Sequence, residues 1–285
     1  MSQTRVIEGL SEAEAGYDAL FCDAWGVIHN GHDLFPGAAD ALSRWRDERG
    51  PVVIITNAPR LSDVIPAQLD RLGLPRSAYD AIVTSGDATR AEVERRADLP
   101  FFRLGPAKDD GLFDAVRADF VSFEEAGAIL CTGPMDDLNE TPEDYRGMLE
   151  KAASRKLPMV CANPDKVVRY GDRLIYCAGA LGDLYESLGG EVILAGKPHA
   201  PIYRMAREAA LASGRAADRP LVVGDGPETD LRGANREGLD AVFVADGIFS
   251  EEARGRNGKL DEGRLAAILD AHDVTAAYGM DGLRW

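Results

Sequence analysis

No stretch of the sequence approaches the roughly 18 uncharged apolar residues that a membrane-spanning helix needs. The amino terminus has neither a basic flank nor an apolar secretory segment. A cytoplasmic protein without a membrane partner is therefore expected. Short-spaced cysteine pairs are missing too. Cys22, Cys131, Cys161 and Cys177 are scattered, each in or beside an apolar run, which leaves no zinc or redox motif and points to buried free thiols. Basic residues are in deficit, 32 against 48 acidic, for a formal charge of -16. That sign argues against a sequence-independent attraction to nucleic acid or to an anionic membrane. A small anionic substrate stays compatible, because it answers to a few local donors and a metal ion whatever the total charge. Internal repeats and low-complexity segments are absent, and the longest polar stretch, around Glu251 to Lys259, reads as solvated surface.

What is present is a core-forming pattern. With 285 residues, 45% apolar and 28% charged, the chain can bury a substantial core, and its length favours two domains over one. After a short helix-like start at Ser11, the apolar run Ala19 to Cys22 reads as a strand that delivers Asp23 to a turn at Gly26. A flap-like segment rich in turn formers follows, and Ala38, Ala41, Leu42 and Trp45 then recur at helical spacing until Gly50-Pro51. The β-branched run Val52 to Ile55, a helix marked by Val64, Ile65, Leu69 and Leu72, and a strand from Ala81 to Val83 complete a first block. The signature returns with strands at Glu191 to Ala195, Leu221 to Val223 and Ala241 to Val244, and a helix from Ala200 to Ala212. Unbroken apolar strands alternating with amphipathic helices predict an α/β fold with a parallel sheet covered on both faces. Between the blocks lie separate apolar runs, Ala128 to Cys131 and Met159 to Cys161. The expected division is a core from 1–86 and 191–285 with a second domain, 87–190, inserted as a cap over the carboxyl ends of the core strands.

Four polar stations close these strands or open turns. Asp23 is placed as a carboxylate nucleophile that would split a phosphoryl transfer into two displacements; taken alone, it fits a turn cap equally well. Thr56 offers a hydroxyl at a strand end, and the backbone amides of Asn57 and Ala58 follow it as possible donors to a phosphoryl oxygen. Lys197 lies on the restricted turn Gly196-Lys197-Pro198, suited to placing one ammonium charge, although most lysines are solvated. Asp225 and Asp230 lie in the loop Gly224-Asp225-Gly226-Pro227-Glu228-Thr229-Asp230 after an apolar strand. If they converge with Asp23, the oxygen-rich site suits Mg²⁺; otherwise the loop is an acidic surface turn.

Together, Asp23-Ala24-Trp25-Gly26-Val27, Thr56-Asn57, Gly196-Lys197-Pro198 and the acidic loop resemble the four motifs of the haloacid dehalogenase superfamily. Pro36-Gly37-Ala38, the long insertion, and Asn163-Pro164-Asp165 followed by Gly179-Ala180-Leu181 resemble its class IIA branch, which includes nucleotide, sugar phosphate, pyridoxal phosphate and 4-nitrophenyl phosphate phosphatases. The resemblance implies a Rossmann-like core with a C2-type cap, and a hydrolase acting on a small phosphorylated metabolite through an aspartyl phosphate. It implies Mg²⁺ held by Asp23, the backbone carbonyl of Trp25 and Asp225, with Asp230 supporting the metal or Lys197. It places Lys197 and Thr56 around the phosphoryl group and cap residues at the leaving group; a cap-mediated homodimer would fit by analogy.

One position departs from that pattern. Phosphatases of the superfamily usually carry Asp two residues after the nucleophile, as general acid and base; here the residue is Trp25, in an Asp-x-Trp-Gly-Val form that resembles a class IIA subgroup. An indole cannot transfer the proton, and general acid-base catalysis is typically worth about 10²–10⁴-fold. Trp25 can still fill space behind Asp23 or stack on an aromatic substrate. The remedy is a leaving group that needs no proton, a substitute acid, or no turnover, with His29 and His32 on the flap as candidate acids. In the cap, Asn163, Asp165, Arg169 and Arg173 are candidates to meet the leaving group, and so is Arg60 beside the second station; each also fits a turn or surface role. Two further functions stay open. A metal-independent dehalogenase also lacks the second Asp, but Asp225 and Asp230 would repel its anionic substrate. A noncatalytic sensor would bind a phosphorylated ligand under the cap.

Overall fold

The computed structural model describes residues 4–170 and 173–285. Along the chain its strands are β1 (Arg5–Val6), β2 (Ala19–Cys22), β3 (Val52–Thr56) and β4 (Ala81–Thr84). There follow β5 (Phe101–Leu104), β6 (Ala128–Cys131), β7 (Met159–Cys161), β8 (Val167–Tyr170), β9 (Arg173–Tyr176) and β10 (Val192–Leu194), and then β11 (Pro220–Gly224), β12 (Ala241–Val244) and β13 (Tyr278–Met280). Seven strands form an all-parallel sheet in the order β1-β13-β12-β11-β2-β3-β4. A second parallel sheet, β10-β7-β6-β5, and the antiparallel hairpin β8-β9 come entirely from the middle of the chain.

The unbroken apolar runs exist because the large sheet is covered on both faces. Successive side chains of a strand point to opposite sides. Leu20, Cys22, Val52 and Ile54 therefore join a core with Leu42 and Trp45 of the helix Ala38–Glu48. Ala19, Phe21, Val53 and Ile55 join another with Ile202 and Tyr203 of the helix Ala200–Ala212. All four cysteines are buried and free. Among the described residues no helix is long and apolar enough to cross a membrane.

One sequence expectation needs correction. The run Glu191 to Ala195, expected in the core sheet, forms β10 at the edge of the smaller sheet, with Val192 level with Met159. A short apolar run looks the same whichever sheet it joins, and the partner is set by the edge the fold leaves open. Thr84, at the end of β4, caps the helix Ser85–Glu94 by accepting the Asp87 backbone N–H. The hairpin β8-β9 gave no signal in sequence, because much of it faces solvent and Arg169 and Arg173 interrupt its apolar residues.

Candidate active site

Strand register assembles the site. Cys22 is level with both Val223 and Ile54, so β2, β11 and β3 end together. Asp23, Asp225 and Thr56 are delivered to one edge, at the carboxyl ends of the strands. Asp23 Oδ1 accepts the Ala24 N–H at 2.7 Å, whereas Oδ2 has no hydrogen-bond partner among the described residues. Asp225 Oδ2 accepts the Ile248 N–H at 2.9 Å. Glycines permit that close approach: a Cβ at Gly26, whose φ is +79°, would lie 2.1 Å from Asp225 Oδ2, and one at Gly247 would lie 1.7 Å away. Gly247 and Ile248 were missed in sequence, although Asp246-Gly247 directly after an apolar strand is the signal that marks such a turn.

Lys197 is 2% exposed, with Nζ 2.8 Å from Asp23 Oδ1 and 2.7 Å from Asp230 Oδ1. Burial works against its charge, but Asp23 and Asp230 more than offset it and hold its pKa well above the usual lysine value. The other oxygen of Asp230 accepts from Gly226 N and Thr229 Oγ1, a closure made by the turn Pro227–Leu231. Burial, then Asp230, pushes Asp225 up to about 7. The same two causes raise Asp23, with Lys197 pulling the other way. Carboxylate oxygens of Asp23, Asp225 and Asp230 lie within 4.8 Å of one another. Three buried carboxylates against one ammonium leave excess negative charge. The Trp25 carbonyl accepts no hydrogen bond among the described residues. Hard oxygen donors with uncompensated charge fit a divalent cation.

Thr56 Oγ1 lines a cavity of about 320 Å³ that opens over Asp23, between the sheet edge and the β8-β9 hairpin. The Ala58 N–H, expected to face a phosphoryl oxygen, donates instead to Thr56 Oγ1 at 3.2 Å. Asn57 does not line the cavity. Its Oδ1 accepts the Lys197 N–H at 2.8 Å, and its Nδ2 donates to Lys197 O and to Asp165 Oδ1. Its amide is spent on holding the lysine turn.

A family model of haloacid dehalogenase-like hydrolases matches residues 20–116, and a second HAD-hydrolase-like model matches residues 194–274. The chain is 39% identical to a solved haloacid dehalogenase-like hydrolase from Brucella suis 1330, covering 98% of this chain and 100% of that one with a TM-score of 0.85. The chain belongs to the haloacid dehalogenase-like hydrolases. Its named relatives are phosphatases. D-glycerol 3-phosphate phosphatase of Mycobacterium tuberculosis is 29% identical over 82% of this chain, which spans 64% of that protein's length. Ribonucleotide monophosphatase NagD of Escherichia coli is 25% identical over 81% of this chain and 88% of its own. A solved glycerol phosphate phosphatase from M. tuberculosis in complex with magnesium shares the fold at 24% identity and a TM-score of 0.59, over 85% of this chain and 71% of that one. These likenesses put the chain in the NagD-like class IIA of the haloacid dehalogenase-like hydrolases.

In this hydrolase Trp25 forms part of the cavity wall. Its indole packs edge-on against His29 at 4.9 Å and faces Tyr170 of the hairpin at 6.4 Å. Gly31 makes room for it, since a Cβ there would fall 2.6 Å from the ring. His29, expected as a substitute acid or substrate contact, does not line the cavity. It is buried, and its Nδ1 accepts the Gly31 N–H at 3.0 Å. Burial lowers its pKa to about 4, so at neutral pH it is the uncharged imidazole, a poor acid. His32 is exposed, with its ring against Tyr170. Asn163 and Asp165 both line the cavity, and Asn163 Oδ1 also accepts the Asp165 N–H at 3.1 Å, an Asx turn. Arg60 lines it as well, with Nε 3.6 Å from Asp109 Oδ1. Arg169 borders a smaller hollow beside Asp225, and Arg173 is exposed and donates to Leu138 O.

Proposed function

We propose that this hydrolase is a Mg²⁺-dependent phosphatase that cleaves a small phosphorylated metabolite through an aspartyl phosphate on Asp23. The observation that carries the proposal is the buried ammonium of Lys197 between Asp230 and Asp23, the latter lining the cavity. Lys197 fixes Oδ1 of Asp23, and Oδ2, without a hydrogen-bond partner among the described residues, would be the nucleophile. A phosphoryl group placed over Asp23 would meet Lys197 Nζ and Thr56 Oγ1, donors already oriented before charge develops. Asp23, Asp225 and the Trp25 carbonyl would hold Mg²⁺, with Asp230 anchoring Lys197 behind them. The ion, when bound, supplies the positive charge that lets an anionic phosphate approach three carboxylates.

The inserted segment, expected to end at 190 but extended by β10 to Leu194, acts in this proposal as a cap that selects the leaving group, supported by the share of the cavity wall that Asn163, Tyr170 and Tyr176 supply. The named relatives differ in substrate, so the class stays at small phosphate monoesters. The test is release of 4-nitrophenolate from 4-nitrophenyl phosphate, with Mg²⁺ and with chelator. Turnover should need the metal and fall by on the order of 10³ or more in Asp23→Asn. Undiminished turnover in that variant would end the proposal.

A further inference from the structure

With Trp25 unable to carry a proton and His29 outside the cavity, the alcohol of an alkyl phosphate would leave as an alkoxide unless another group protonates it. The two hollows above the sheet edge, one of about 320 Å³ and one of about 40 Å³, share four lining residues: Asp23, Trp25, Asp165 and Val168. Beyond the nucleophile, only Asp165 among these can exchange a proton. It comes from the opposite side of the cavity, on the turn after β7, and is held at three points. Its N–H donates to Asn163 Oδ1 and its carbonyl accepts the Gly179 N–H at 3.1 Å. Its Oδ1 accepts Asn57 Nδ2 at 2.9 Å. Gly179 is required there, because a Cβ would lie 2.2 Å from Pro164 O. With Oδ1 engaged, Oδ2 is the oxygen without a hydrogen-bond partner among the described residues. Asn57 thus orients one carboxyl oxygen and frees the other, while also bracing the turn that carries Lys197.

We propose that Asp165 is the general acid and base of this site, in place of the residue that Trp25 displaces. This rests on the aspartyl-phosphate proposal above. As the bond from Asp23 Oδ2 to phosphorus forms and the ester P–O bond breaks, the Asp165 Oδ2 proton passes to the departing oxygen. A water then takes the departed alcohol's place, opposite Asp23. Asp165 accepts a proton from it as the water oxygen bonds to phosphorus and the Asp23–phosphorus bond breaks, which releases phosphate and restores protonated Asp165.

The test compares kcat/KM for 4-nitrophenyl phosphate, whose leaving group needs no proton, with that for glycerol 3-phosphate and ribose 5-phosphate, whose leaving groups do. In Asp165→Asn, which keeps an acceptor for Asn57, kcat/KM should fall about 10²–10⁴-fold on an alkyl phosphate and less than about tenfold on the aryl one. With the base gone, 4-nitrophenyl phosphate should leave phosphorylated Asp23 detectable by mass spectrometry of acid-quenched protein. Asp165→Glu should recover part of the alkyl turnover, and melting temperatures exclude misfolding as the cause. Equal losses on both substrate types without phosphoenzyme would mean that Asp165 only braces Asn57 and Lys197, and the inference falls. It falls equally if Asp165→Asn is fully active on an alkyl phosphate, or if the wild type cleaves only the aryl ester. If the wild type cleaves neither, the phosphatase proposal itself has failed.

Discussion

A lysine 2% exposed between two carboxylates is a structural commitment as well as a chemical one. Removing one partner of a buried ion pair leaves the other charge uncompensated, at about 3–5 kcal/mol. Lys197→Met should therefore lower stability by about 3 kcal/mol at pH 7 in metal-free buffer, measured by urea unfolding. The deficit should shrink as pH falls, because protonation of Asp23, whose pKa is already raised, removes the uncompensated charge. His29 sets a second pH dependence. Its folded pKa of about 4 lies below the ordinary 6.5, so the unfolded chain binds the proton first. The stabilisation from burying it neutral is complete above pH 6.5 and lost as pH falls toward 4, about 3 kcal/mol in all. His29→Asn, which keeps an acceptor for the Gly31 N–H, should flatten the melting temperature between those pH values. An unchanged slope would show that other groups carry it. At this scale residue types were legible in sequence and their neighbours were not. Nothing local in Gly196-Lys197-Pro198 distinguishes a buried lysine from a solvated one, because its partners come from residues 23 and 230.

The elements that matter most are the turn after β2 and the acidic loop after β11, which interlock through glycine. Gly26→Ala adds a Cβ at a left-handed φ of +79° and 2.1 Å from Asp225 Oδ2. It should cost about 1–2 kcal/mol and move Asp225 enough to raise the Mg²⁺ concentration needed for half-maximal turnover. A metal titration of activity checks this, and an unshifted midpoint would mean that Asp225 is not a ligand. The apolar runs Ala128 to Cys131 and Ala241 to Val244 have the bounds of the strands they form, since a short run that is apolar throughout suits a strand buried on both faces. The hairpin was not legible in sequence: much of it faces solvent, and Arg169 and Arg173 interrupt its apolar residues.

Over the whole molecule, three clustered carboxylates make a metal a partner in stability. A ligand at about 100 times its Kd adds about 2.7 kcal/mol, which for a chain of this size is a melting shift of roughly 5–10 °C. Saturating Mg²⁺ should produce it. Asp225→Asn should abolish the shift and, by relieving like-charge crowding, raise the metal-free melting temperature; a full shift in that variant would place the ion elsewhere. The sequence alone determined the two-sided parallel sheet, the strand ends that bear Asp23, Thr56 and Asp225, and the absence of the usual acid at Trp25. Those are properties of local pattern, because burial on both faces and turn chemistry are written within a few residues of each strand. The tertiary structure alone decided that β10 joins the smaller sheet, that His29 lies buried, that Asn57 braces Lys197, and that Asp165 and Asp23 line the same cavity. Each depends on segments distant in the chain meeting in space, where burial and pairing set what a side chain can do.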